Sequence, residues 1–141
     1  WILIHSIPND YSLDGYKIIR KSTIEERVSG ADEALVERVL RLKEETASML
    51  PDFEFGTTLQ MINWVESSFD LFELQDHDEE ACVYGRVKNS EEGYLELHWI
   101  EPDGTVDEEA EFEIELDMIR IIAFNSDYHY SVCFLYQDNM K

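Results

Sequence analysis

The spacing of hydrophobic residues predicts a β-hairpin and then a long helix in the first part of the chain. Residues 2–7 are rich in β-branched side chains and precede a Pro-Asn-Asp turn signal, so we expect a strand there and a returning strand at residues 16–19. The period then changes, because apolar residues recur at helical spacing over residues 31–49. Pro51 is expected to end this helix.

The second part of the chain is predicted to hold one more helix and a series of short strands. Thr57 and Gln60 form a capping-box pattern ahead of apolar residues at helical spacing through about Ser67. In residues 111–116 glutamates alternate with Phe, Ile and Leu, which is typical of a strand with one solvent-facing side. The expected strands cover residues 71–75, 81–87, 94–100, 111–116 and 121–124, with a sixth at residues 131–136.

An internal repeat relates the start of the chain to a later segment. Residues 1–14 align without a gap with residues 94–107. Because a repeat reports architecture, we expect two related bent hairpins, although chance similarity between such hairpins is an equal alternative. The aligned residues expected to support the turns are His5, Asp10, His98 and Asp103.

Together these patterns predict an α+β protein in which antiparallel β-structure dominates. Residues 1–56 are expected to form a β-hairpin and a long helix, as an incomplete barrel unit if the repeat is structural. Residues 57–141 are expected to form a helix followed by a small barrel of five or six strands.

The second part of the chain contains three short motifs, which are Tyr84-Gly85-Arg86-Val87, Glu101-Pro102-Asp103-Gly104 and Leu116-Asp117-Met118-Ile119-Arg120-Ile121-Ile122. These motifs resemble those of the Sm-like family of small SH3-like barrels. The order of helix, strands and a one-turn connection is also similar to that family, and residues 69–136 resemble uncharacterised bacterial protein families. Because Sm-like proteins commonly bind RNA, the resemblance implies a nucleic-acid or nucleotide binder as one function. The contacts it would use are Arg86, Lys88 and Arg120.

The charge of the chain favours a different partner. The sequence holds 11 Lys and Arg against 32 Asp and Glu, a formal net charge of −21, of which −19 falls on residues 51–141. Such a surface repels phosphate backbones and attracts basic proteins, so the charge disfavours direct nucleic-acid binding and a basic protein partner is expected. The simplest alternative is that the charge only keeps the protein soluble.

Two segments are candidate sites for that partner. An acidic loop lies between two predicted strands, and an aromatic segment follows near the C-terminus, where it also suits a contact between copies of the chain. Calcium would be the preferred ion if the acidic loop held one, but the EF-hand spacing is absent, so a solvated loop is expected. The candidate residues are Asp76, Asp78, Glu79, Glu80, Tyr128 and Tyr130.

No pattern in the sequence indicates catalysis. It contains no Gly-rich phosphate loop, nucleophile elbow, Cys-x-x-Cys or His-Glu-x-x-His motif. Glu96 and His98 are an acid/base candidate, but we expect His98 to support its turn instead. We therefore predict a non-enzymatic protein-interaction module of the inhibitor or immunity type, without cofactor or metal. Two cysteines and no long apolar stretch favour the cytoplasm over a membrane or a disulfide framework.

Overall fold

The described part of the chain forms three helices and seven strands. The computed structural model describes residues 1–9, 11–77 and 82–141. The helices are α1 (Ala31–Leu42), α2 (Thr58–Phe69) and α3 (Asp127–Asn139). The strands are β1 (Ile2–His5), β2 (Tyr16–Ile19), β3 (Phe72–Gln75), β4 (Cys82–Glu91), β5 (Tyr94–Ile100), β6 (Val106–Glu115) and β7 (Ile121–Phe124). Single turns of 3₁₀ helix lie at Lys21–Thr23 and Leu116–Met118.

The strands form one antiparallel sheet in the order β1-β2-β7-β3-β4-β5-β6. This confirms an α+β protein with antiparallel β-structure. No described pairing joins β1 to β6, so the sheet is open and the predicted closed barrel is not confirmed. The physical reason is that β2 pairs with the outer side of β7, which extends the sheet at that strand. Strands from both parts of the chain thus share the sheet, while the division at residue 57 stays a prediction.

Helix α2 covers one face of the sheet. It begins with the predicted capping box, in which Thr57 Oγ1 accepts from the Gln60 N–H and Gln60 Oε1 accepts from the Thr57 N–H. Its buried side chains pack on a row of apolar strand residues that share one face because side chains alternate along each strand. This main cluster includes Ile18, Met61, Ile62, Val65, Phe72, Leu74, Leu95, Leu97, Ile122 and Phe124.

Helix α3 lies where the sequence predicts a sixth strand at residues 131–136, so that prediction is wrong. Ser126 caps the helix by accepting a hydrogen bond from the His129 N–H. His129, Val132 and Cys133 are buried at helical spacing, and the last two form a second apolar cluster with Leu71 and Ile100. Burial of these three side chains on one side of α3, against the sheet, favours a helix over a strand in this segment.

Helix α1 is shorter than the predicted helix over residues 31–49, and none of its residues is buried. It ends because Glu44 adopts a positive φ of 58°, beyond which the chain turns back toward the sheet. There Ser48 bonds to Tyr16 Oη at 2.5 Å, and its N–H donates to His5 Nδ1. No described helix is long and apolar enough to cross a membrane.

Candidate functional site

Four exposed carboxylates and one half-buried one, Glu96, gather on the solvent-facing side of β4, β5 and β6. We define the acidic surface as Glu91, Glu92, Glu96, Glu113 and Glu115, which surround Tyr94. Four of these carboxylates and Tyr94 line a depression of 330 Å³. The residues that alternate with them, such as Leu95 and Ile114, are buried in the core. The strands therefore hold the carboxylates on a rigid support.

The charge on the acidic surface is only partly compensated. Glu96 lies directly opposite Glu113 across β5 and β6, an arrangement in which like charges repel. Lys88 Nζ lies 2.5 Å from Glu96 Oε1, and the Tyr94 hydroxyl donates to Glu115 Oε1 at 3.0 Å, which raises the pKa of Tyr94. Residues 89–119 contain twelve Asp or Glu and no Lys or Arg. The surface therefore keeps a local excess of negative charge.

The structure separates the other predicted partner-binding residues. Asp76 is half-buried after β3, whereas Asp78, Glu79 and Glu80 lie outside the described residues. Tyr128 and Tyr130 are both exposed on α3 but line different clefts. The Tyr128 ring lies tilted at 55° to the ring of Tyr84 of β4, with centroids 5.2 Å apart. These two tyrosines do not share one binding surface.

The cations proposed for nucleic-acid binding have partners within the protein. Arg86 Nε lies 3.1 Å from Glu66 Oε1, and its guanidinium also donates to the Tyr136 hydroxyl, which raises the pKa of Arg86. Lys88 is paired with Glu96, as described above. Arg120 precedes β7, where its backbone N–H donates to the Gln75 carbonyl. Arg86 and Lys88 would have to leave carboxylates before either could bind a phosphate.

The predicted turn residues behave differently at the two hairpins. Asp103 Oδ1 accepts hydrogen bonds from the N–H and the hydroxyl of Thr105, which hold the pKa of Asp103 below its usual value. Asp10 lies outside the described residues. The His5 ring stacks on the Tyr16 ring, with centroids 4.4 Å apart, whereas His98 is exposed. The two aligned histidines therefore have different surroundings.

A buried carboxylate and a buried histidine meet at the start of α3, and neither is among the site residues predicted from the sequence. Glu73 of β3 is 8% exposed and His129 is 7% exposed. Glu73 Oε2 and His129 Nε2 are 3.9 Å apart, too far for a direct hydrogen bond, and both residues line a cleft of 290 Å³. Burial and a hydrogen bond to Glu73 raise the pKa of Tyr84 beside them. The available signal was Glu73 itself, a charged residue within the apolar stretch 71–74.

The hydrogen bonds around His129 make it part of a helix cap. Ser126 Oγ accepts from the His129 N–H at 3.2 Å, so its own hydrogen is available for His129 Nδ1, 2.5 Å away. Nδ1 then acts as acceptor and the ring proton is on Nε2, which faces Glu73. Ser126, His129 and Glu73 thus connect the start of α3 to β3.

The burial of His129 predicts a pH dependence of stability. Burial lowers the pKa of His129, and the nearby carboxylates Glu73 and Asp14 raise it by less. The pKa therefore lies below its usual value. In the unfolded chain an imidazole titrates near 6.5, so below about that pH the unfolded state binds the proton more readily and the native state loses stability. When urea unfolding is compared at neutral and mildly acidic pH, we expect the free energy of unfolding to fall less in His129→Gln than in the unchanged protein.

The exposed His98 supplies the control for this experiment. His98→Gln removes an imidazole that lies on the surface, so its stability should fall with pH as steeply as that of the unchanged protein. An equal pH slope in the His129 and His98 variants would show that the buried imidazole is not responsible.

The comparisons with known proteins leave the geometry as the basis for function. Searches against protein-family models, curated proteins and solved structures find no match to this chain. Among residues 1–9, 11–77 and 82–141, no three His, Cys, Asp or Glu side chains form a group suited to a metal ion. The acidic surface and the Glu73–His129 cluster are therefore interpreted from their own contacts.

Proposed function

We propose that this chain is a non-enzymatic protein-interaction module of the inhibitor or immunity type, whose acidic surface binds a basic segment of a partner protein. The observation that carries the proposal is the direct opposition of Glu96 and Glu113, with Glu91, Glu92 and Glu115 around them. Like charges placed opposite each other lower the stability of a sheet. A basic partner would remove that cost, which gives the arrangement a purpose beyond solubility.

The support of the acidic surface also suits recognition. Strand β5 is paired on both sides, with β4 and β6, so the carboxylates are held in place before a partner arrives. Such preorganisation lowers the entropic cost of binding. Tyr94 is exposed among the carboxylates and offers an aromatic contact of the type that often dominates interface energies.

The contacts of the cations support a protein partner over a nucleic acid. Nucleic-acid affinity depends mainly on Lys and Arg side chains that neutralise phosphates. Arg86 is already paired with Glu66, and Lys88 with Glu96. A phosphate backbone would gain little from these two and would be repelled by the carboxylates nearby.

We also propose that the C-terminal part of the fold is an open relative of the Sm-like barrel. What supports this is the succession of α2, four strands, a 3₁₀ turn at Leu116–Met118 and β7, with β7 returning to pair with β3. A shared fold does not transfer a function, so the family's RNA binding is not part of the proposal.

Removal of carboxylates tests the proposed surface. In the triple variant Glu92→Gln, Glu113→Gln, Glu115→Gln, we expect binding to a basic partner captured at low salt to weaken about tenfold or more. The binding should also weaken as salt rises, because screening removes attraction between exposed charges. Titration calorimetry of the captured partner with each variant measures both effects.

A second triple variant separates this surface from net charge. Glu25→Gln, Glu26→Gln and Glu37→Gln neutralise the same number of exposed carboxylates away from the acidic surface. Binding should be nearly unchanged in this variant. Equal weakening in both triple variants, or binding that does not respond to salt, would contradict the proposed role of the surface.

A further inference from the structure

The two edges of the sheet differ in their ability to accept another strand. Exposed edges offer unpaired backbone groups, and proteins commonly protect them with charged side chains. At one edge, β6 carries Asp or Glu at six of its ten positions. At the other edge, β1 belongs to a stretch, residues 1–9, with no charged side chain. The β1 edge therefore lacks this protection.

The hydrogen bonds of β1 show which groups are directed outward. The Ser6 N–H donates to the Gly15 carbonyl of the same hairpin. Along two antiparallel strands, residue pairs that exchange backbone hydrogen bonds alternate with residue pairs that do not. The backbone of Ile4 therefore bonds to β2, whereas Leu3 and His5 direct their N–H and C=O groups away from β2. No described backbone group bonds to Leu3 or His5 on that outer side.

These outward groups are complementary to those of an identical strand. If two β1 strands pair antiparallel about a twofold axis at Ile4, then Leu3 of one copy lies opposite His5 of the second copy, and the reverse. Each such pair can exchange both of its N–H···O=C bonds. Ile4 is 37% exposed and would pack against Ile4 of the second copy. The interface uses the same patch on both copies, as twofold symmetry requires.

An apolar groove beside β1 adds to this edge. It has a volume of 530 Å³, with Trp1, Leu3 and Phe53 among its lining residues. Met49 and Phe55 also line the groove and are largely exposed. A second copy at the β1 edge would bring its own groove beside this one, so that apolar surface on both copies loses contact with water.

The charge distribution favours the same arrangement. Two copies with a formal net charge of −21 each repel one another, most strongly where acidic surfaces approach. Two cations lie beside β1 instead. Lys17 of β2 lies opposite Ile4, and the Arg20 guanidinium lies over the Trp1 ring. Because β6 occupies the opposite edge of the sheet, pairing through β1 places the two acidic surfaces at the far ends of the joined sheet.

We propose that this protein forms a homodimer through antiparallel pairing of β1 with β1 of a second copy, so that one sheet runs through both molecules. Such a dimer presents an acidic surface at each end. The proposal does not depend on the proposed function, since neither β1 nor the groove contributes to the acidic surface.

Sedimentation equilibrium of the full chain tests the dimer. We expect dimer mass at about 100 μM protein, with the dimer favoured by added salt, because salt screens the repulsion between the copies. Leu3→Pro removes an outward N–H, which an edge strand tolerates, together with a side chain that packs against the main cluster, and should give a monomer. Ile4→Lys places a charge at the axis and should also give a monomer, and it decides the matter if Leu3→Pro does not fold.

The control is Val28→Lys, which adds the same charge at an exposed apolar residue outside the sheet and should remain dimeric. Near-ultraviolet circular dichroism shows that each variant is folded. A monomer at all salt concentrations, a larger oligomer, or a dimer that persists in Ile4→Lys would overturn the proposal. Added salt should favour the dimer but weaken partner binding. A failure of the dimer proposal can therefore be distinguished from a failure of the proposed function.

Discussion

Gly104→Ala is expected to lower the free energy of unfolding by about 3 kcal/mol or more, since it adds backbone strain to a steric clash. Gly104 is buried in the turn between β5 and β6 and has a φ of +79°. A Cβ at this position would lie 2.4 Å from the Tyr136 nitrogen and 2.5 Å from the Leu135 carbonyl carbon. These are backbone atoms of α3, so the helix must move away from the sheet. Urea unfolding measures the loss.

Gly93→Ala is the matched control for this turn. Gly93 has a similar positive φ of +93°, but a Cβ there meets no atom within 4 Å. Its substitution should cost only the backbone strain of a left-handed alanine, about 1 kcal/mol. Equal losses in the two variants would show that α3 does not pack against the Gly104 turn as described.

Ile18→Ala is expected to destabilise the whole protein by about 3 kcal/mol, as large-to-small changes in a packed core do. Ile18 is fully buried in β2 and lies opposite Ile122 of β7. Because it belongs to the main cluster with α2 and β3, we expect the loss to appear in one cooperative transition. Tryptophan fluorescence and far-ultraviolet circular dichroism should report the same shifted midpoint.

Ile24→Ala provides the comparison for Ile18. It removes the same atoms from a side chain that is 40% exposed, so the loss should be well below that of Ile18→Ala. Two separate transitions, with only the first shifted by Ile18→Ala, would instead show that the N-terminal hairpin folds apart from the rest of the sheet.

Local patterns in the sequence were enough to predict many of the elements. The strands at residues 16–19, 94–100 and 121–124 and the capping box of α2 occur as predicted. In these segments the period of hydrophobic residues and the turn signals agree with the tertiary contacts. Residues 131–136 are helical instead of forming the predicted strand, because packing of α3 on the sheet outweighs the local preference of aromatic and β-branched residues for strands.

The candidate site was predictable only in part. The sequence showed that glutamates alternate with core residues in residues 111–116, and the structure places Glu113 and Glu115 on the solvent side. It did not show that Glu113 faces Glu96, because that depends on the register of β5 and β6. The sequence also did not show that Glu73 lies beside His129, since these residues are far apart in the chain and meet only when α3 packs on β3.

By itself, the sequence determined the type of most elements, the acidity of the second part and the alternation that exposes its carboxylates, because each of these follows from neighbouring residues. The tertiary structure decided that the sheet is open. Tyr16 pairs with Phe124 and Ile19 with Ile121, contacts across about a hundred residues that leave no trace in a local period. Because β2 occupies the outer side of β7, β1 becomes an edge that is free of charge, at the opposite end of the sheet from the acidic surface.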